Sequence, residues 1–207
     1  MGRTLLIVLG VVAAIVVCGA LLVIPAYGNM VTLDEQVNES WSQVENVYQR
    51  QAELIPNLVA TVKGAAGFEQ DTLTAVVEAR AKATQPVIMV DGSPTAEGLR
   101  EFQANQDALT SALSRLLVVA EAYPTLTATQ GFRDLQGQLE GAQNRITNER
   151  RRYNETVRSY NTARRGFPVV LIAGLMGFPD RPYFEATPGS EQPPTVDFST
   201  PVPATQP

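Results

Sequence analysis

The chain has 207 residues, 44% of them apolar and 18% charged, with 16 basic residues against 21 acidic ones. That is enough for one domain with its own core, and it is neither a low-complexity fibre nor an acidic disordered chain. The net charge of −5 argues against nucleic acid as a partner. There is no histidine and one cysteine. These counts exclude Ser-His-Asp and Cys-His catalysis, imidazole metal sites, di-iron bundles built on Glu-x-x-His pairs, and intramolecular disulfides. No phosphate-binding GxxxxGK[ST] loop and no GxGxxG fingerprint occurs. Catalytic, cofactor-binding and metal-ligating residues are therefore expected to be absent, as is a small-molecule substrate. An enzyme using carboxylates alone is the residual alternative, for which no positioned acid pair is found.

Leu5 to Ile24 is an uncharged apolar run of twenty residues. As a helix rising 1.5 Å per residue it spans about 30 Å, the thickness of the bilayer hydrocarbon. Arg3 precedes it, and the first charges after it are Asp34 and Glu35. The positive-inside rule then predicts a cytoplasmic N-terminus and a domain on the outer side of the membrane. The run is long for a signal peptide, and Ile24-Pro25-Ala26-Tyr27 is a poor cleavage site, so an uncleaved single-pass anchor over 1–28 is predicted. Val17 before Cys18 does not suit a lipoprotein signal, and position 6 lacks the Ser or Thr of a myristoylation pattern.

From Val31 to Lys63 apolar residues recur at three- and four-residue steps: Leu33, Val37, Trp41, Val44, Tyr48, Ile55, Leu58 and Val62. Pro56 lies inside this stripe and is expected to kink the helix near Ala52–Pro56. Gly64 and Gly67 mark the turn that follows. A second helix is predicted over about 68–84. Residues 85–94 (QPVIMVDGSP) break the pattern, either as a chain reversal or as an insertion, with Ser93-Pro94 as N-cap and first helical residue. A third helix carries Leu99, Phe102, Gln106, Leu109, Leu113, Leu116, Ala120 and Tyr123, and Pro124 stops it. A fourth runs from about Thr129 to Arg165, with Phe132, Leu139, Ile146, Tyr153, Tyr160 and Phe167 at every seventh position. That period favours coiled-coil-like packing. Glu149 stands where this seam expects an apolar residue, as a buried polar contact or as a locally exposed turn.

The fold class is thus all-α: an N-terminal transmembrane helix followed by an antiparallel bundle of three to four long helices, over 29–186. Residues 187–207, rich in Pro, Thr and Ser, read as a disordered tail.

Between 145 and 165 the fourth helix concentrates seven arginines: Arg145, Arg150, Arg151, Arg152, Arg158, Arg164 and Arg165. They form either a solvated face or a contact for lipid headgroups or an acidic partner. Phe167 to Phe178 follows, apolar but too short to span a bilayer. It either folds back on the bundle or makes a second, shallow membrane or oligomer contact. The candidate contact residues are Arg158, Arg164, Arg165, Phe167, Leu171 and Phe178. The pairs Tyr153-Asn154 and Tyr160-Asn161 repeat at seven residues. Their tyrosines read as core, and their asparagines as donors and acceptors across helices, including to backbone freed at Pro56. Two glycosylation sequons, at Asn38 and Asn154, fall in predicted helices and read as chance.

Several stretches together carry a resemblance: Trp41-Ser-Gln-Val44, Ala52-Glu-Leu-Ile-Pro-Asn-Leu-Val59, Thr61-Val-Lys-Gly64, Glu78-Ala-Arg80, Leu113-Ser-Arg-Leu-Leu117 and Glu121-Ala-Tyr-Pro124. Asn144-Arg-Ile146, the two Tyr-Asn pairs, Gly177-Phe178 and Tyr183-Phe-Glu185 continue it. In this order, over about 31–186, the chain resembles the LemA family. The resemblance implies a bacterial envelope protein with one membrane helix and a helical bundle, and some family members are linked to membrane remodelling. Where the family often has Tyr-Ala-x-His-Glu this chain has Ala65-Ala-Gly-Phe-Glu69, so a role tied to that histidine does not carry over.

The functional expectation is a non-catalytic, membrane-anchored scaffold acting through helix contacts with itself or with another envelope protein. The alternative is a lipid-contacting, membrane-remodelling module using 167–178 and the Arg-rich helix end.

Overall fold

The structure is a computed structural model and describes residues 2–65 and 67–185. The predicted tail, 187–207, lies outside the described residues.

The first helix, α1 (Gly2–Lys63), is continuous from the apolar run into the bundle. At 1.5 Å per residue its 62 residues extend about 93 Å. Its first part is the one helix among the described residues long and apolar enough to cross a membrane, and that window buries nothing against the rest of the chain. Beyond it every third or fourth residue turns inward, from Met30 and Val37 to Leu58 and Val62. No break falls at 28/29, where the anchor was expected to give way to the domain.

The chain then reverses through Gly67, whose φ of +80° is a left-handed conformation that glycine adopts without steric cost. It returns as α2 (Gln70–Ala83). A short antiparallel ribbon, β1 (Met89–Val90) with β2 (Ser93–Pro94), turns it again into α3 (Ala96–Ala120). Residues 86–94 are therefore a reversal. The helix cap differs from expectation. Ser93 Oγ bonds Asn38 Oδ1 at 2.6 Å and Pro94 pairs with Met89, so Thr95 caps α3 by accepting from the Gly98 N–H. After the single turn α4 (Pro124–Thr127), Thr129 caps α5 (Gln130–Arg165), which runs back along α1. Three long helices and one shorter helix are what the hydrophobic periodicity predicts, and the reversal at 86–94 gives them the antiparallel course of the expected bundle.

Pro56 does not interrupt α1. It has no N–H for the Ala52 carbonyl. Arg80 Nε on α2 donates to that carbonyl at 2.9 Å instead. The freed backbone group is thus satisfied by a neighbouring helix, and Asn154 and Asn161 bind elsewhere. Glu149 is half-buried, and its Oε2 is enclosed without a hydrogen-bond partner among the described residues.

Two cores stack along the bundle. The one away from the apolar run is aliphatic, built on Ile55, Leu58, Leu73, Val76, Leu109, Leu113, Leu116 and Leu139. The one nearer it is aromatic, built on Trp41, Tyr48, Phe102, Tyr153, Tyr160, Phe178 and Phe184.

Candidate functional site

The site lies where α5 ends beside the exit of α1 from its apolar run. Gly166 closes α5, and 167–178 folds across this end through a 3₁₀ turn at Val169–Leu171. Val169, Ala173 and Phe178 point inward, into the core that contains Met30. The Phe178 ring lies 5.6 Å from that of Tyr27. Gly177, at φ +79°, lets the Phe178 N–H return to the Ala173 carbonyl at 3.0 Å. The same segment leaves Phe167, Leu171 and Leu175 exposed, at 75%, 74% and 92%. It thus folds back on the bundle along one face and presents bulky apolar groups along the other. Tyr27 is three residues past Ile24, or about 4.5 Å of helix rise. The inward face of the segment therefore packs close to where α1 leaves its apolar run.

The six candidate contact residues do not share one role. Phe167 and Leu171 face outward and Phe178 is buried. Arg164 donates from Nε to the Phe178 carbonyl at 2.7 Å and pairs through Nη1 with Asp180 Oδ1 at 3.1 Å. Arg165, more exposed, reaches the same carboxylate oxygen at 3.6 Å. One carboxylate thus offsets two guanidinium groups. Arg158 stands about two turns back along α5, exposed, with no carboxylate within 4.0 Å among the described residues.

Beyond Phe178 the chain turns back up the bundle as an extended strap, 179–185. Asn161 Nδ2 donates to the Arg181 carbonyl at 2.8 Å, and its Oδ1 accepts from the Arg181 N–H at 3.1 Å. Asn154 holds Phe184 in the same way, at 3.1 and 2.9 Å. Tyr160 and Tyr153 donate their hydroxyls to the carbonyls of Pro179 and Pro182, at 2.9 and 3.2 Å. The two Tyr-Asn pairs thus sit on the helix as parallel brackets for one extended segment. Burial pushes both phenols up. Nearby Asp34 adds to the effect at Tyr160, which reaches about 12 although Arg181 pulls it down. Both tyrosines therefore remain neutral donors at any ordinary pH.

Arg181 is the buried centre of the strap. Its Nη2 and Nε meet Asp34 Oδ1 at 2.8 and 3.1 Å, and its Nη1 donates to the Val90 carbonyl at 3.2 Å. A charge out of water needs such pairing, since an unpaired one costs several kcal/mol. This guanidinium ties α1, the ribbon turn and the strap together. Phe184 fills an aromatic box of Trp41, Phe102 and Tyr153, with the Arg150 guanidinium 4.7 Å from its ring centre. Asp34, Arg181 and Phe184 escape sequence reasoning because none lies on a stripe. The Tyr-Asn repeat was the available signal, and it shows the receptor side of the contact without its ligand.

An open groove of about 580 Å³ lies between α1 and the α2–α3 turn, floored by Tyr48, Ala52, Val87 and Phe102. Burial pushes the Glu45 carboxyl on its rim up, partly countered by the nearby Trp41 indole. That indole N–H is buried without a hydrogen-bond partner among the described residues. Among the described residues no group of three or more His, Cys, Asp or Glu side chains could hold a metal ion.

One apolar helix running unbroken into an all-helical bundle defines a membrane-associated helical-bundle protein. A model of the LemA family matches residues 40–198, most of the chain, and the protein belongs to that family. Two relatives are the magnetosome proteins MamQ 1 and MamQ 2 of Paramagnetospirillum magneticum. Each is 24% identical over 207 residues, covering 91% of this chain and 74% of the relative. The magnetosome protein MamQ of Magnetospirillum gryphiswaldense is 22% identical over 186 residues, covering 81% of this chain and 67% of its own.

Proposed function

We propose that this protein is a non-catalytic scaffold of the bacterial envelope, anchored by α1, whose bundle is seated on the bilayer by a second, shallow contact through 167–176. The N-terminus lies in the cytoplasm and the bundle on the outer side, as the distribution of charge around the apolar run favours. Residues 1–28 serve as anchor, 29–186 as the working domain and 187–207 as a tail. The observation that carries this reading is the exposure of Phe167, Leu171 and Leu175 on the outer face of the segment whose Phe178 packs against Tyr27. Burying side chains of this size is worth roughly 1.5–3 kcal/mol each, and three of them in lipid make a substantial hold. Arg158 and Arg165 stand above it at headgroup height, and each adds about 1 kcal/mol on anionic lipid.

The test uses the full-length chain in vesicles, with Cys18→Ala and an environment-sensitive fluorophore on Leu175→Cys. Emission shifted to the blue and quenched by a lipid-borne quencher is expected. A water-like spectrum, insensitive to that quencher, removes the lipid contact. The exposed face of 167–176 would then belong to protein.

A further inference from the structure

α1 and α5 lie side by side in opposite directions, and their contacts fix a register. Gln51 bonds Gln143 at 3.4 Å, the Trp41 ring lies 5.7 Å from that of Tyr153, and Asp34 lies near Tyr160. These rungs are spaced alike on the two helices. Arg152 therefore stands level with Ser42, and Arg145 with Gln49.

The two helices carry opposite charge. From Val31 onward α1 has Asp34, Glu35, Glu39, Glu45 and Glu53 against Arg50 and Lys63. From Arg145 to Arg165, α5 has seven arginines against Glu149 and Glu155. Asp34 is taken by Arg181, and Glu155 is paired with Arg151 at 3.9 Å. Glu39, Glu53, Arg145 and Arg152 are exposed and make no ion pair among the described residues. Glu39 and Arg152 line one polar cleft of about 270 Å³ on the exposed side of the α1–α5 seam, together with Gln43 and Thr156. Glu53 follows Glu39 by two heptads and Arg145 precedes Arg152 by one, so helical period places them along the same face.

An unmet acidic column thus runs beside an unmet basic one. A copy anchored in the same membrane carries both columns at the same heights, because α1 is continuous from the apolar run into the bundle. A half-turn about the membrane normal lays its Arg152 beside Glu39 and its Arg145 beside Glu53, and the same two pairs form in return. The height differences, three and four residues, are about 4.5 and 6 Å of helix rise, within reach of an arginine side chain. The face is self-complementary, as a closed two-fold interface requires. Nothing in the fold has to open to form it. Exposed ion pairs are weak singly, but confinement to one membrane raises the effective concentration of the partner.

We infer that the exposed α1–α5 face is an interface for a second copy of this chain, with Glu39 paired to Arg152 and Glu53 to Arg145 across a two-fold axis along the membrane normal. This names a partner for the proposed scaffold, and rests on that reading for the anchoring of both copies in one membrane.

The experiment places full-length chains carrying Cys18→Ala and Gln43→Cys in vesicles and treats them with a short bis-maleimide. Crosslinked dimer is expected at several-fold the yield from Ala104→Cys, an exposed position on α3. Glu39→Arg alone, or Arg152→Glu alone, should bring the yield down to that control. When differently tagged chains carrying one reversal each share a vesicle, every reversed charge meets its complement. The product bearing both tags should then return to several-fold the control, which also shows that neither variant is misfolded. A Gln43→Cys yield no higher than that of Ala104→Cys overturns the interface. A yield indifferent to the single reversals, or a mixed product that does not return, overturns the Glu39–Arg152 pairing that defines it. Only chains that float with the vesicles are scored, so a failed anchor shows before any crosslink. The Leu175 probe reports lipid contact separately, so either proposal can fail alone.

Discussion

The two halves of the bundle are held by different forces. The distal core is mainly aliphatic, with leucines and valines from α1, α2, α3 and α5 interleaved by helical period around one ring, Phe132. The proximal core is aromatic, and a strap with no helical period is bonded across it by two asparagines, two tyrosines and a buried guanidinium. Non-directional burial tolerates repacking, whereas bidentate amide brackets admit one backbone in one register. The lesson is that the distal half supplies cohesion and the proximal half supplies specificity, at the end beside the apolar run of α1.

The comparison is broken most severely at Trp41. Trp41→Ala empties the centre of the aromatic core and is expected to cost about 4 kcal/mol in denaturant unfolding of the detergent-solubilised protein. It should also free the amides of 181 and 184 to hydrogen exchange. Leu116→Ala in the distal core should cost about 3 kcal/mol yet leave the strap amides protected. If they open equally, the halves are one cooperative unit. Asn161→Ala leaves the buried N–H and carbonyl of Arg181 unsatisfied, for an expected loss of about 2 kcal/mol. Asn154→Ala, at a more open position, should lose about 1 kcal/mol. Exchange at 179–185 is the readout that separates these two from a general loss of packing.

The smallest effect is on the alkaline limb. The folded-state phenol of Tyr160 titrates near 12, above its ordinary value near 10. The folded form thus holds its proton where the unfolded chain releases it. Its contribution is complete below pH 10 and is lost as pH rises toward 12. Tyr160→Phe should flatten that limb of the stability profile while lowering stability slightly at neutral pH.

The contrast between the halves also decides what the amino-acid sequence could disclose. The distal core is written in spacing. Leu109, Leu113 and Leu116 on one helix, and Phe132 and Leu139 on another, point to their own burial through a period of three to four residues. The membrane run and the apolar character of 167–178 are equally plain. The strap is not, because 179–185 has no period and is recognised mainly through its backbone. Asn154 and Asn161 were visible as donors looking for a partner. Pro56 offered a false one, since Arg80 had already taken the Ala52 carbonyl. Nothing in the spacing marks Arg181, and only its fold-back against Asp34, 147 residues away in sequence, makes it the keystone of this end.

The unbroken course of α1 has a mechanical consequence. A bundle joined to its anchor by a flexible linker would swivel freely. Here the anchor and the longest bundle helix are one shaft, so the bundle's azimuth is tied to the rotation of α1 in the bilayer. Pro25 leaves one backbone hydrogen bond unmade in that shaft, just past the end of the apolar run. A turn of the buried segment is therefore a turn of the groove, the strap and the arginines of α5, with Pro25 as the single softened point through which the torque must pass.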